Sequence, residues 1–132
     1  MGYQEKISEN RRALKKCADI SAHNVGASRA YYCAFIGIKK YLISQGYDYN
    51  QFLIDMGKCG EREYSHGTIK MALFKCLMDA GHKISNISQL NVLDNLYRKR
   101  RIADYEDKDI SKVQFEDSMR ELTVVEQILG VT

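Results

Sequence analysis

Proline is absent from the 132 residues, and no uncharged apolar run approaches the roughly 18–20 residues that span a bilayer. The first absence leaves no residue that must break a helix, and the second excludes a transmembrane helix. The opening stretch MGYQEKISENRRALKK has no apolar centre of the kind a signal peptide needs. Met1 and Gly2 are followed by Lys6, not Ser or Thr, at the sixth position, so myristoylation is not expected either. No C-x-x-C pair occurs among Cys17, Cys33, Cys59 and Cys76. They are expected as reduced thiols of a cytoplasmic protein, with Cys33 and Cys76 acting as small hydrophobes on apolar helix faces. A zinc site built from Cys59 and His66, or from Cys76 and His82, would need ligands gathered at irregular spacing, so no metal or other cofactor is expected. Neither charge sign dominates: 20 Lys+Arg against 17 Asp+Glu leave a formal +3. That balance does not by itself mark a nucleic-acid binder, and the placement of the positive charge matters more.

Strand-like alternation is hard to find, whereas helical spacing recurs in nearly every segment. The length suits one domain over residues 1–132, burying roughly two-thirds of its extended-chain surface. A first helix is expected over 3–20, apolar at Ile7, Leu14 and Ala18 and basic at Arg11, Arg12, Lys15 and Lys16. Asn24 reads as the N-cap of a second helix running to about Ser44, stopped by Gly46. Its stripe of Ala27, Ala30, Tyr31, Ala34, Phe35, Ile38, Tyr41 and Leu42 mixes small and aromatic residues, allowing close helix approach. A short helix around 49–57 and a loop lead to a third long helix over about 66–80, ended by Gly81. Ile69, Ala72, Leu73, Cys76, Leu77 and Ala80 form its core face. Met71, Phe74 and Met78 lie elsewhere around it, so this helix is either central or has a partner beyond its own core. A turn at Gly81–Ser88 precedes a fourth helix over about 88–104. The last helix begins near Ser111 and uses Val113, Met119, Leu122, Val125, Ile128 and Leu129. The expected architecture is an all-α bundle of four to five helices, without repeat or linker.

The fourth helix carries the chemistry. Its apolar line of Leu90, Leu93, Leu96 and Tyr97 continues on the same face to Arg100, Ala103 and Asp104. Arg100 and Asp104 lie one turn apart and are neighbours. A guanidinium directed into a bundle is costly unless it is paired or binds an anion. Spacing alone favours an Arg100–Asp104 ion pair that fastens the helix end. The unbroken run Arg98, Lys99, Arg100, Arg101 surrounds the helix, because successive residues point about 100° apart. It reads as a solvated surface or as a phosphate-binding patch that the basic face of the first helix would extend. Asp104, Glu106, Asp107 and Asp109 partly offset it.

Three segments resemble a known family. SRAYYCAFIGIKKYL (Ser28 to Leu42) is similar to the S-R-A-Y-Y-A-x-F signature of HEPN-domain proteins. SHGTIKMALFKCL (Ser65 to Leu77) resembles their central helix, and LYRKRRIADY (Leu96 to Tyr105) the L-x-x-x-R-x-x-A-D-Y ending of a small stand-alone HEPN subgroup. The blocks occur in family order and lie within residues 7–129. The resemblance implies an antiparallel helical bundle that forms a homodimer. It also implies a place beside a nucleotidyltransferase in a toxin–antitoxin pair, or in antiviral or CRISPR-linked defence. Many family members are metal-independent ribonucleases whose R-x4–6-H motifs meet in a composite dimer cleft. There an RNA 2′-hydroxyl attacks the adjacent phosphate, the His handles protons and the Arg stabilises developing charge.

Arg100 matches the motif arginine, but Tyr105 stands where R-x4-H places histidine, and no histidine follows His82. With ordinary pKa values near 10 and near 3.9, Tyr105 and Asp104 are both poorly matched to proton transfer at neutral pH. Asp104 would orient Arg100, and Tyr105 would hydrogen-bond or stack a base. Tyr105 is also a candidate acceptor of AMP from a family-type partner. His66 would supply an imidazole if the fold brings it near Arg100, and is otherwise an exposed first-turn residue. Arg29, beside Ser28, would either bridge Asp104 and free Arg100 for an anion, or clamp a carboxylate for stability alone. Arg98, Arg101 and Tyr97 complete the expected RNA or nucleotide contacts. Tyr31, Tyr32, Tyr97 and Tyr105 read as a stacking surface, or as core residues with hydroxyls at the edge. Two functions are compatible with these residues. One is an RNA- or nucleotide-binding HEPN protein, with or without ribonuclease activity. The other is a non-catalytic helical subunit that docks on a nucleotidyltransferase or defence effector.

Overall fold

Two capping boxes fix where long helices begin. The Ser65 side chain accepts the Thr68 backbone N–H while the Thr68 hydroxyl accepts the N–H of Ser65, and Ser111 and Gln114 make the same reciprocal pair. The computed structural model describes residues 2–47, 51–52, 54, 57 and 65–130. The described residues form no strand. They build α1 (Tyr3–Asp19), α2 (His23–Ser44), α3 (His66–Asp79), a short α4 (Ile84–Ser88), α5 (Val92–Tyr105) and α6 (Lys112–Ile128). A 3-10 turn at Gln89–Asn91 joins α4 to α5. None of these helices is long and apolar enough to cross a membrane.

The central element is α2, which packs against α1, α3, α5 and α6. Its Ala27, Ala30 and Ala34 are buried, so neighbouring helices approach its backbone, while Tyr31, Ile38 and Leu42 fill the spaces between them. By contrast, α3 buries Ile69, Ala72, Leu73, Cys76 and Leu77 but leaves Met71 and Met78 exposed. The partly buried Phe74 packs on the core. The helix with apolar residues on two sides is therefore not the central one.

Several expectations are corrected. Asn24 is not an N-cap. It lies in the first turn of α2, where its Nδ2 donates to Asp109 Oδ1 (3.0 Å) and its Oδ1 accepts the Ile110 N–H (2.7 Å). It pins the α5–α6 connection to α2. Cys17 is buried in α1 and Ala18 is exposed, a shift of one position around the helix. Residues 84–88 are helical where a turn was expected, and the long helix expected from about 88 begins at Val92 after the 3-10 turn; Ile87 and Leu90 anchor this stretch. Val113 and Ala80 are exposed. The short helix expected around 49–57 lies largely outside the described residues, as does Cys59, while Cys17, Cys33 and Cys76 are free thiols.

Gly26 of α2 lies directly against the Phe115 ring of α6. A Cβ there would sit 2.2 Å from Phe115 Cε1. Phe115 is buried and stacked on the His23 ring at 5.7 Å, which limits its retreat. Gly26→Ala gains about 1 kcal/mol of helix propensity but overpacks the contact by roughly 1–3 kcal/mol. A net loss of stability is expected in urea unfolding. Most of it should return in Gly26→Ala/Phe115→Leu, which gives the new methyl room.

Candidate functional site

Ser28, Tyr31 and Tyr32 share one face of α2 because residues three and four apart lie together on a helix. The same spacing gathers Tyr97, Arg100 and Asp104 on α5, and the α2–α5 packing brings the two sets into contact. Arg100 lies at their centre, with its side chain 15% exposed. Its Nη2 donates to the hydroxyls of Tyr32 (2.6 Å) and Tyr105 (3.3 Å). The guanidinium carbon lies 5.2 Å from the ring centroids of both tyrosines and 6.0 Å from that of Tyr31. Asp104 Oδ2 is 3.1 Å from Arg100 Nε, yet that N–H is not directed at the oxygen, which instead accepts the Ser28 hydroxyl at 3.2 Å. Burial alone would lower the Arg100 pKa, but Tyr32, Tyr105 and Asp104 outweigh it and the net shift is upward. The group is thus held as a cation by two phenols and one carboxylate. Among the described residues Nη1 has no hydrogen-bond partner, and it is not sealed from solvent.

The expected Arg29–Asp104 bridge does not form. Ser28 takes Asp104, and Arg29, about 100° further round α2, turns to α1, donating from Nη1 to Asn10 Oδ1 (3.3 Å). The Arg29 guanidinium still lies 5.2 Å from the Tyr32 ring centroid, so two cations share that ring. Arg101 extends the series, 5.1 Å from the Tyr105 ring and 5.9 Å from that of Tyr97. Arg29, Tyr32, Arg100, Tyr105, Arg101 and Tyr97 thus alternate guanidinium and phenol in one connected array. Arg98 does not join it. Two positions from Arg100, it points to the other side of α5, where it donates to Asn95 Oδ1 at 3.3 Å and lines a polar cleft between α5 and α6.

His66 is not an exposed first-turn residue. Its ring stacks on Tyr97 at 4.0 Å with planes 5° apart. Nε2 is 2.9 Å from Asp94 Oδ1 and Nδ1 is 3.2 Å from the Tyr31 hydroxyl. With Asp94 ionised, Nε2–H donates to the carboxylate and Nδ1 accepts the Tyr31 O–H. Lys70 Nζ reaches the other Asp94 oxygen at 2.5 Å. Burial of Asp94 opposes its ionisation, but the bonds from Lys70 and His66 prevail and lower its pKa. No contact joins His66 to Arg100 among the described residues. Both neighbour the Tyr31 ring, whose centroid is 5.8 Å from that of His66 and 6.0 Å from the Arg100 guanidinium carbon.

Lys99 was read as part of a solvated or phosphate-binding run, which its burial corrects, and Glu121 was not apparent in the sequence. Lys99, in the middle of the basic run, is buried, paired with Glu121 and 3.4 Å from the Gln114 carbonyl. A signal did exist: Gln114, Ser118 and Glu121 place polar groups at i, i+4 and i+7 of α6. Asn10, Lys70 and Asp94 were missed as well, because each is recognisable only by its cross-helix partner. The described residues hold no cluster of three or more His, Cys, Asp or Glu side chains suited to a metal. The chain matches no protein-family model, and no curated protein matches it.

Proposed function

We propose that this chain is a HEPN-type protein of a prokaryotic defence or toxin–antitoxin module. In this reading it works in the cytoplasm as a homodimer and holds a phosphate of RNA or of a nucleotide at Arg100. The observation that carries the reading is the state of that guanidinium. It is charged and fixed between Tyr32 and Tyr105, with Nη1 unpartnered among the described residues and not sealed from solvent. A preorganised guanidinium with free N–H groups suits a phosphate oxygen. Arg29 and Arg101 supply further charge, and Tyr105, 65% exposed, offers a ring to a base. The resemblance in the three sequence blocks adds the family.

A second reading, the non-catalytic subunit that docks on a nucleotidyltransferase or effector, is favoured by the histidine geometry. Tyr105 holds the place of the motif histidine, and both nitrogens of His66 are already engaged. Short fluorescent single-stranded RNA and a labelled nucleotide, titrated against the full chain and Arg100→Ala, separate the two. Loss of a charge-assisted bond is worth about 1.5–3 kcal/mol, so roughly 10- to 100-fold weaker binding by the variant is expected. Cleavage by the wild type that vanishes in Arg100→Ala would add ribonuclease activity to that result. Equal binding by both proteins, or none by either, overturns the phosphate site and leaves the docking subunit.

A further inference from the structure

The second half of α2 meets α1 and the C-terminal end of α6 around a cavity of about 460 Å³. It contains none of the Arg100 cluster. Ile7, Cys33, Ala34, Val125 and Leu129 are its buried walls, and Gly37 leaves the α2 backbone open between them. A Cβ added at Gly37 would meet only Leu129 Cδ1, at 3.8 Å, so the space there is not closed by neighbouring side chains. Protein interiors hold few voids larger than a water molecule. Small-molecule sites are commonly about 300–1,000 Å³, apolar, with a few polar groups at one side.

The polar side is charged. Arg11 and Glu126 form an ion pair at the mouth, and Lys40 donates to the neutral carbonyl of Gln4. Two cations against one carboxylate leave one positive charge at the rim. Inside, burial pushes the Cys33 thiol up in pKa, with Arg11 countering only in part, so the wall presents a neutral S–H. The interior therefore suits hydrocarbon, and the rim suits an anion.

We infer that this cavity binds a small amphipathic carboxylate, with an apolar body of about eight to twelve carbons on Cys33, Ala34 and Gly37 and its anionic end at Lys40. The inference is independent of the phosphate reading of Arg100, since the two sites share no residue. Tyr31 and Tyr32 of one and Cys33 and Ala34 of the other are nevertheless consecutive on α2.

Calorimetric titration of the full chain with decanoate, below its aggregation concentration, tests it, with decanol as the uncharged control. Saturable one-to-one binding is expected. Gly37→Leu should weaken it at least tenfold by filling the space. Lys40→Gln should weaken decanoate two- to fivefold and leave decanol unchanged, the range of a solvent-exposed ion pair. A readout that needs no variant guards against misfolding of Gly37→Leu: decanoate should slow maleimide alkylation of Cys33 but not of Cys76, followed by peptide mass spectrometry. The inference is overturned by absence of saturable binding, by unchanged affinity in a folded Gly37→Leu, by equal affinity for decanoate and decanol, or by Cys33 alkylation that ignores decanoate.

Discussion

Lys99→Ala is expected to lower folding stability by about 3–5 kcal/mol, the cost of breaking a buried ion pair by removing one partner. The side chains of Lys99 and Glu121 are 8% and 14% exposed, and the ammonium is also within reach of the Gln114 carbonyl at 3.4 Å. Alanine leaves the Glu121 carboxylate, 14% exposed at the wall of the polar cleft between α5 and α6, with its cation gone. Glu121→Ala leaves the complementary fault, a buried ammonium with one carbonyl. Lys99→Met/Glu121→Leu removes both charges and keeps the volume, and should fall close to the wild type or above it. The pair thus matters less for net stability than for penalising any packing of α5 on α6 that separates it. Urea unfolding at neutral pH checks all four proteins. With an m-value of about 2 kcal/mol/M, the single variants should move the midpoint by roughly 1.5–2.5 M. A shift below about 0.5 M would mean that water reaches the carboxylate.

The contrast between Lys99 and Arg100 shows what the sequence could convey. Helical period assigns a residue to a face, and the face of Leu93, Leu96 and Arg100 was legible because two leucines mark it as inward. Lys99 sits about 100° away, on a face whose burial depends on how α6 docks, and no period within α5 encodes that. The helix start near Ser111 was legible, and the structure shows a local cause, a capping partner, Gln114, only three residues on. Asn24 looked equally suitable, but its partners Asp109 and Ile110 are distant in sequence, and a cap and a tertiary clamp use the same side chain. Arg29 and His66 repeat the lesson. Their residue types suggested a role near Arg100, but the choice of Asn10 over Asp104, and of Asp94 and Tyr31 over solvent, was made by packing. The coarse fold was readable because amphipathic period and caps are local. The wiring of the site was not, because one chain offers several chemically acceptable partners for each polar group.

Tyr31→Ala is expected to cost about 3–5 kcal/mol, as for a large buried ring truncated to a methyl. Tyr31 is 3% exposed and its ring lies 5.4–5.8 Å from those of Tyr97, Tyr32, Phe35 and His66. Tyr31→Phe keeps that packing and removes only the hydroxyl bound to His66 Nδ1, so a smaller loss of about 1–3 kcal/mol is expected. The wild type and Tyr31→Phe differ again in alkali. Burial, reinforced by Tyr97 and Tyr32 and only partly relieved by Arg100, raises the Tyr31 pKa above its ordinary value. The native state therefore keeps a proton that the unfolded chain releases near pH 10. The resulting stability is complete below the unfolded pKa and is lost as pH rises above it toward the folded value. Wild-type stability should accordingly fall more steeply between about pH 9 and 11 than that of Tyr31→Phe, which lacks the ionising group. Urea midpoints at paired pH values read the difference directly, since the other tyrosines and the lysines titrate in both proteins. Parallel profiles would show that the Tyr31 hydroxyl reaches solvent. In that event the Tyr31 hydroxyl would not be held by His66 Nδ1 alone, and the loss in Tyr31→Phe should fall to the lower end of its range.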